Sequence, residues 1–273
     1  MATSPFADRL VAAMDAANSL ICVGLDPQPS RTSPDEILRF NTRVIEATAD
    51  LVCAFKPQSA FYEAAGAVGW QALKDTIATV RRLAPDAIVI LDAKRNDIGN
   101  TAEAYARSAF DWFDADAVTI NPYLGGDAVA PFLQRPERGA FALCRTSNPG
   151  ASDLQSLSMA DGGPLYLAVA ERARAWGESH HLNLGLVVGA TWPKELADVR
   201  TRCPDIPILL PGIGAQGGDL EASVAAGVDS SGRGLLVSAS RSVIYAGSSD
   251  DIRSAAADLR ASANAANPVS ASR

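Results

Sequence analysis

The sequence predicts an α/β fold and, within that class, a (β/α)8 barrel. Three observations carry the prediction. Eight short apolar runs recur along 273 residues, starting 22 to 44 residues apart. They are rich in Val, Ile and Leu with little polar alternation, as strands covered on both faces are. Helical periodicity fills most of the gaps, so strand and helix alternate eight times. A doubly wound open sheet is the competing architecture.

The first nineteen residues, MATSPFADRLVAAMDAANS, carry acids inside an apolar pattern and have no basic start. They read as an amphipathic helix and not as a signal peptide. The strand runs are LICVGLD (20–26), LVCAFKPQ (51–58), AIVILDAKR (87–95) and AVTINPY (117–123), then GAFALCRTS (139–147), NLGLVVGAT (183–191), IPILLPGIG (206–214) and GLLVSASRS (234–242). The helix expected over 34–50 has Ser33 as its N-cap candidate and Pro34 at its first position. Helical spacing also marks 66–83, 101–112 and 164–180. Within these, Arg81–Arg82 reads as a solvated basic doublet. The longest gap, 148–182, holds NPGASDLQSLSMADGGP before its helix and reads as a functional loop. No linker or short repeat splits the chain. One domain is expected over 1–273, with the small, polar 262–273 as a flexible tail.

Composition limits the partners. With 24 basic and 31 acidic residues the net charge is −7, which disfavours nucleic acid and anionic membranes. No apolar stretch reaches the roughly 18 residues of a membrane span. Cys22, Cys53, Cys144 and Cys203 show no CxxC spacing, so neither a zinc site nor a redox pair is indicated. Three of them sit inside apolar runs and read as small buried hydrophobes, and the set reads as reduced, structural thiols of a cytoplasmic protein. His180 and His181, the two histidines, fall near the end of a helix and away from every strand end. Histidine acid–base chemistry and histidine-ligated metal therefore lose support.

In a barrel the reacting groups sit at the C-terminal ends of the strands. Those ends carry Asp26, Lys56, Asp92, Lys94, Asn121, Ser147 and Thr191, followed by a glycine-rich turn and Arg241. Asp92 and Lys94 are two apart and share one strand face. On a face next to the apolar IVIL run, such charges must pair. A buried lysine flanked by carboxylates, as Lys94 is expected to be, stays protonated and is a positioned ammonium, unlike the amine of a Schiff base. A plain strand-end salt bridge remains the other reading of this pair. Gly212, Gly214 and Gly217 spell GxGxxG, but the next strand ends in Arg241 and supplies no acid for a ribose. A phosphate cradle with Arg241 as its charge fits better than a dinucleotide site, because barrels often hold phosphate after strands 7 and 8.

At LDAKRNDIGNTAEAY (91–105) the chain resembles the orotidine 5′-phosphate decarboxylases, in their longer bacterial branch. CVGLDP (22–27), AFKPQSAFYE (54–63), RTSNPGASDLQ (145–155), VVGAT (187–191), PGIGAQGGD (211–219) and SASRSVIYA (238–246) resemble family segments in family order. The resemblance spans roughly residues 5–260. It implies a cofactor-free, metal-free conversion of orotidine 5′-monophosphate to uridine 5′-monophosphate. Lys56, Asp92, Lys94 and Asp97 would form its alternating catalytic array, with Lys94 as the proton donor. Asp26 and Lys56 would contact ribose, and Ser147 the pyrimidine. Gln216, Arg241 and the turn at Gly212 and Gly214 would hold phosphate, with the 211–220 loop as a lid. Asp97 and Thr101 would reach the site of a second subunit, which implies a homodimer. Asn96 stands where a glycine is frequent, and asparagine tolerates left-handed backbone. Two other functions compete. One is a metal-dependent sugar-phosphate decarboxylase or aldolase on the same barrel, whose relatives place an acid where this chain has Lys56. The other is a non-catalytic nucleotide- or phosphate-binding protein.

Overall fold

The computed structural model describes residues 4–160, 162–213 and 219–269. Eight parallel strands close into a barrel in chain order: β1 (Ile21–Leu25), β2 (Ala54–Pro57), β3 (Ile88–Arg95), β4 (Ala117–Ile120), β5 (Gly139–Arg145), β6 (Leu184–Val188), β7 (Ile208–Pro211) and β8 (Leu235–Ala239). Each lies within one of the eight apolar runs. Closure is made where Ile21 and Cys22 of β1 pair with Val237 and Ser238 of β8. The open-sheet alternative therefore falls.

The longer helices are α1 (Phe6–Ala17), α2 (Ile37–Thr48), α3 (Gly66–Leu83), α4 (Gly99–Arg107), α5 (Leu165–Glu178), α6 (Pro193–Arg202), α7 (Leu220–Gly227) and α8 (Ser249–Ala266). Between β4 and β5 there is room only for short turns, Pro122–Leu124, Gly126–Val129 and Ala130–Phe132. Ahead of α2, Pro34 opens a 3-10 turn as its spacing suggested, but the Ser33 hydroxyl donates to the Glu36 carboxylate and caps no backbone group. Every residue of β1, β2, β4, β6 and β8 is buried, which is why these runs show no polar alternation.

Helix α1 packs under the N-terminal end of the barrel. The Phe6 ring meets Phe141 edge-on at 6.2 Å, and the Phe6 N–H donates to the Pro136 carbonyl. Two expectations are corrected here. Arg81 is not solvated: it lies at 2.8 Å from the buried carboxylate of Asp116. The stretch expected to be loose from residue 262 is helical and packed at its start. Helix α8 runs to Ala266, Ala263 is fully buried, and the Asn267 amide donates to the Gly232 carbonyl. Alanine-rich sequence reads as small and featureless, yet alanine is the best helix former.

All four cysteines are free and buried. Burial pushes the Cys22 thiol up to about 12, so it stays an unreactive, protonated packing group. Among the described residues no helix is long and apolar enough to cross a membrane.

Candidate active site

The polar strand ends converge on the C-terminal mouth of the barrel. Asp92 is its hub, although only 7% exposed. Its carboxylate accepts from Lys56 Nζ at 2.8 Å, Lys94 Nζ at 2.6 Å and the Thr119 hydroxyl at 2.8 Å. Burial works against the Asp92 charge. The Lys56 and Lys94 ammoniums outweigh burial and hold its carboxyl well below the usual carboxylate range. Burial likewise opposes the Lys56 charge, and Asp92 and then Asp26 overcome it and raise its pKa. One buried anion thus fixes two cations, and a carboxylate hydrogen-bonded on both oxygens has little freedom to turn.

Lys94 departs from the expectation of a buried lysine. Lys56 is the buried one, and the Lys94 side chain is 44% exposed. Near it, the pairing of β3 with β4 shifts register between Leu91 and Arg95. Lys94 itself, and not Asn96, takes the left-handed conformation, with φ +48°. That conformation costs a non-glycine residue on the order of 1 kcal/mol. Its N–H donates to Thr119 Oγ1 at 2.9 Å, and Thr119 in turn donates to Asp92. The bulge and this link place the ammonium over Asp92 at the mouth.

Two adjoining cavities share Lys56 and Pro211. One, of about 440 Å³, is lined by Asp92, Lys94, Thr119, Ser147 and Gln155 among others. The other, of about 180 Å³, is lined by Asp26, Gly212, Ser240 and Arg241 among others. Ser147 can stand where it does because Gly189 lies against it; a Cβ at 189 would come within 2.8 Å of the Ser147 Cβ. Asp26 accepts from the Gln58 N–H at 3.2 Å. Gly212 has φ +106°, which only glycine adopts without strain, and it turns the chain at the end of β7. Ser240 adds a hydroxyl beside Arg241 that is buried and has no partner among the described residues. This end can receive a small anion, while the larger cavity offers two ammoniums and a set of amide and hydroxyl groups.

A family model described as the orotidine 5′-phosphate decarboxylase / HUMPS family matches residues 19–257. The chain belongs to this family. Relatives named orotidine 5′-phosphate decarboxylase support the assignment. That of Roseiflexus sp. (strain RS-1) is 52% identical over 248 residues, covering 88% of this chain and 89% of the relative. That of Thermomicrobium roseum is 54% identical over 252 residues, covering 89% and 88%. The solved structure of Leishmania donovani OMP decarboxylase superposes with a TM-score of 0.88 at 43% identity, covering 96% of this chain and 99% of that one.

Of the residues that the family resemblance selected, Asp26, Lys56, Asp92, Lys94, Ser147, Gly212 and Arg241 all line the two cavities. Asp97 and Thr101 do not. Asp97 accepts from its neighbour's N–H, Ile98, and Thr101 is exposed in the first turn of α4. Gly214, Gln216 and the middle half of the expected 211–220 lid, residues 214–218, lie outside the described residues. Three groups escaped sequence reading. Thr119 looked like ordinary β-branched strand filling. Ser240 looked like part of a small-residue turn. Gln155 sat in a loop whose path the sequence does not fix, and it lines the cavity by bonding Thr146.

Proposed function

We propose that this chain decarboxylates orotidine 5′-monophosphate to uridine 5′-monophosphate, as a cytoplasmic single-domain enzyme working as a homodimer. The observation that carries the reading is Asp92 holding Lys56 and Lys94 together beside a cavity that continues to Gly212 and Arg241. The phosphate takes the Arg241 end, ribose the Asp26–Lys56 stretch and the pyrimidine the Ser147 end. When the bond from C6 to the carboxyl breaks, its electron pair stays on C6 and carbon dioxide leaves. The Lys94 ammonium faces that charge, then transfers a proton to C6. Asp92 keeps Lys94 in place. Phosphate binding far from C6 contributes energy for ordering the site.

The metal-dependent alternative needs an acid at the end of β2. Lys56 occupies that place, buried and paired to Asp92, and its ammonium repels a cation. The deciding assay is release of carbon dioxide from orotidine 5′-monophosphate by purified protein. Turnover that persists after exhaustive chelation is expected. No release, or release abolished by chelation and restored by metal, would overturn the reading.

Asp97 and Thr101, which do not line their own cavity, complete the site of a partner subunit in this proposal. Mixed dimers of Lys94→Ala and Asp97→Ala should then regain up to about a quarter of the wild-type sites at full exchange. Each mixed dimer holds one doubly damaged and one intact site, and such dimers make up half the population. Activity that stays at the level of the parents after verified exchange would exclude sharing.

A further inference from the structure

The Ser147 end of the larger cavity contains a directional hydrogen-bond chain that the roles above leave unused. Gln155 Oε1 accepts from the Thr146 N–H at 2.9 Å and from the Arg145 guanidinium at 3.4 Å. Both partners can only donate, so the amide orientation is fixed and Nε2 faces the other way. Nε2 donates to Thr146 Oγ1 at 2.8 Å. That hydroxyl in turn donates to Asn148 Oδ1 at 2.6 Å. One lone pair of the Asn148 oxygen is thereby taken and its amide turned, so the two N–H groups lie on the side away from Thr146. Arg145 anchors the start of the chain: it is 2% exposed and stacks on the Trp192 ring at 4.2 Å. Trp192 also donates to the Thr146 carbonyl, so the backbone of residue 146 is held from both sides. Thr146, Ser147, Asn148 and Gln155 all line the cavity.

We propose that Gln155 is a positioning residue that sets the hydrogen-bond polarity of this end. Acting through Thr146, it keeps Asn148 presenting N–H and so selects a pyrimidine with a carbonyl, over one with an amino group, at the facing edge. The inference rests on the nucleotide reading of the cavity given above. Uracil offers a carbonyl oxygen where cytosine offers an amino group. An amino group against a fixed N–H sets donor on donor, and both lose a partner on leaving water. A site built this way rejects the wrong ring even though the two rings have nearly the same shape.

The test uses Gln155→Glu, which keeps the shape and removes the donor. A carboxylate accepts from the Thr146 N–H and from the Thr146 hydroxyl, so the hydroxyl no longer holds Asn148, and that amide is free to turn. Titration calorimetry on the full chain measures the dissociation constants of uridine 5′-monophosphate and cytidine 5′-monophosphate. The wild type should prefer the uridine nucleotide. In Gln155→Glu the preference should fall roughly tenfold or more, the size of one hydrogen bond to a fixed group. Asn148→Asp, which leaves only acceptors at the edge, should lose it as well. Circular dichroism and melting temperature report whether each variant is folded. Folded variants that both keep the wild-type ratio within twofold would overturn the inference and leave Gln155 a structural residue. A wild type that turns over orotidine 5′-monophosphate yet binds the two nucleotides equally would overturn this inference alone. A wild type that neither turns it over nor binds uridine 5′-monophosphate would overturn the functional reading as well.

Discussion

Lys94→Ala is expected to cut the rate of decarboxylation by roughly five orders of magnitude while the protein stays folded. Two effects multiply. A positioned proton donor contributes about 10² to 10⁴. A fixed charge facing a developing anion contributes about 10² to 10³ more. Five orders correspond to roughly 7 kcal/mol of lost transition-state stabilisation. The fold should tolerate the change, because Asp92 keeps Lys56 at 2.8 Å and the Thr119 hydroxyl. A buried carboxylate stripped of all its partners would be another matter. The Lys94 side chain is also 44% exposed, so little packing is lost. Single-turnover rates give the first readout and binding of uridine 5′-monophosphate the second. The Arg241 end is untouched, so that binding should persist. A folded Lys94→Ala protein decarboxylating at near wild-type rates would remove Lys94 from the proposed chemistry.

How far the sequence carries such a prediction depends on the range of the interactions involved. The strands were legible because burial on both faces writes an unbroken apolar run, and each of the eight runs contains its strand. Lys56, Asp92 and Lys94 were legible because charge at the end of an apolar strand needs a partner, and β2 and β3 are neighbours in the barrel. Thr119 was not, since a threonine in AVTI satisfies strand propensity and only the register of β4 against β3 brings it to Asp92. Local preference only allows a left-handed backbone at Asn96. The bulge and the Thr119 contact impose it on Lys94 instead. Arg81 was misjudged on local pattern. Its helix supplies no carboxylate for it, and Asp116 lies 35 residues further along the chain. Short-range pattern reveals elements and the charges at their ends, whereas partners brought together by barrel closure stay hidden until the strands are in register.

Asp116 carries the largest expected effect on stability, and it sits at the opposite end of the barrel from the site. Its carboxylate is fully buried just before β4. It accepts from Arg9 at 2.5 Å, from Arg81 at 2.8 Å and from the Val89 N–H at 2.7 Å, so one side chain joins α1, α3 and β3. Asp116→Ala removes the buried acceptor of the Val89 N–H and the shared anion of two guanidiniums, leaving Arg9 only the Glu137 carbonyl and Arg81 only Asp114 among the described residues. Removing one partner of a buried ion pair costs about 3–5 kcal/mol, a fall of roughly 10 °C in melting temperature for a chain of this size. The effect should also depend on pH. Burial opposes ionisation of Asp116, but Arg81 and then Arg9 outweigh it and hold the carboxyl below its ordinary value. A depressed folded-state pKa stabilises above the unfolded value, about 3.9, and that contribution is lost as pH falls through the folded value. Asp116→Asn cannot titrate there. The stability gap between wild type and Asp116→Asn should therefore be constant near neutral pH and shrink below about pH 4. Measuring the gap as a difference cancels the other carboxylates, Asp92 included, whose own low values make both proteins weaker in acid. A gap that stays constant down to the acid transition would mean that the Asp116 charge contributes nothing, and that hydrogen-bond geometry alone joins α1 to the barrel.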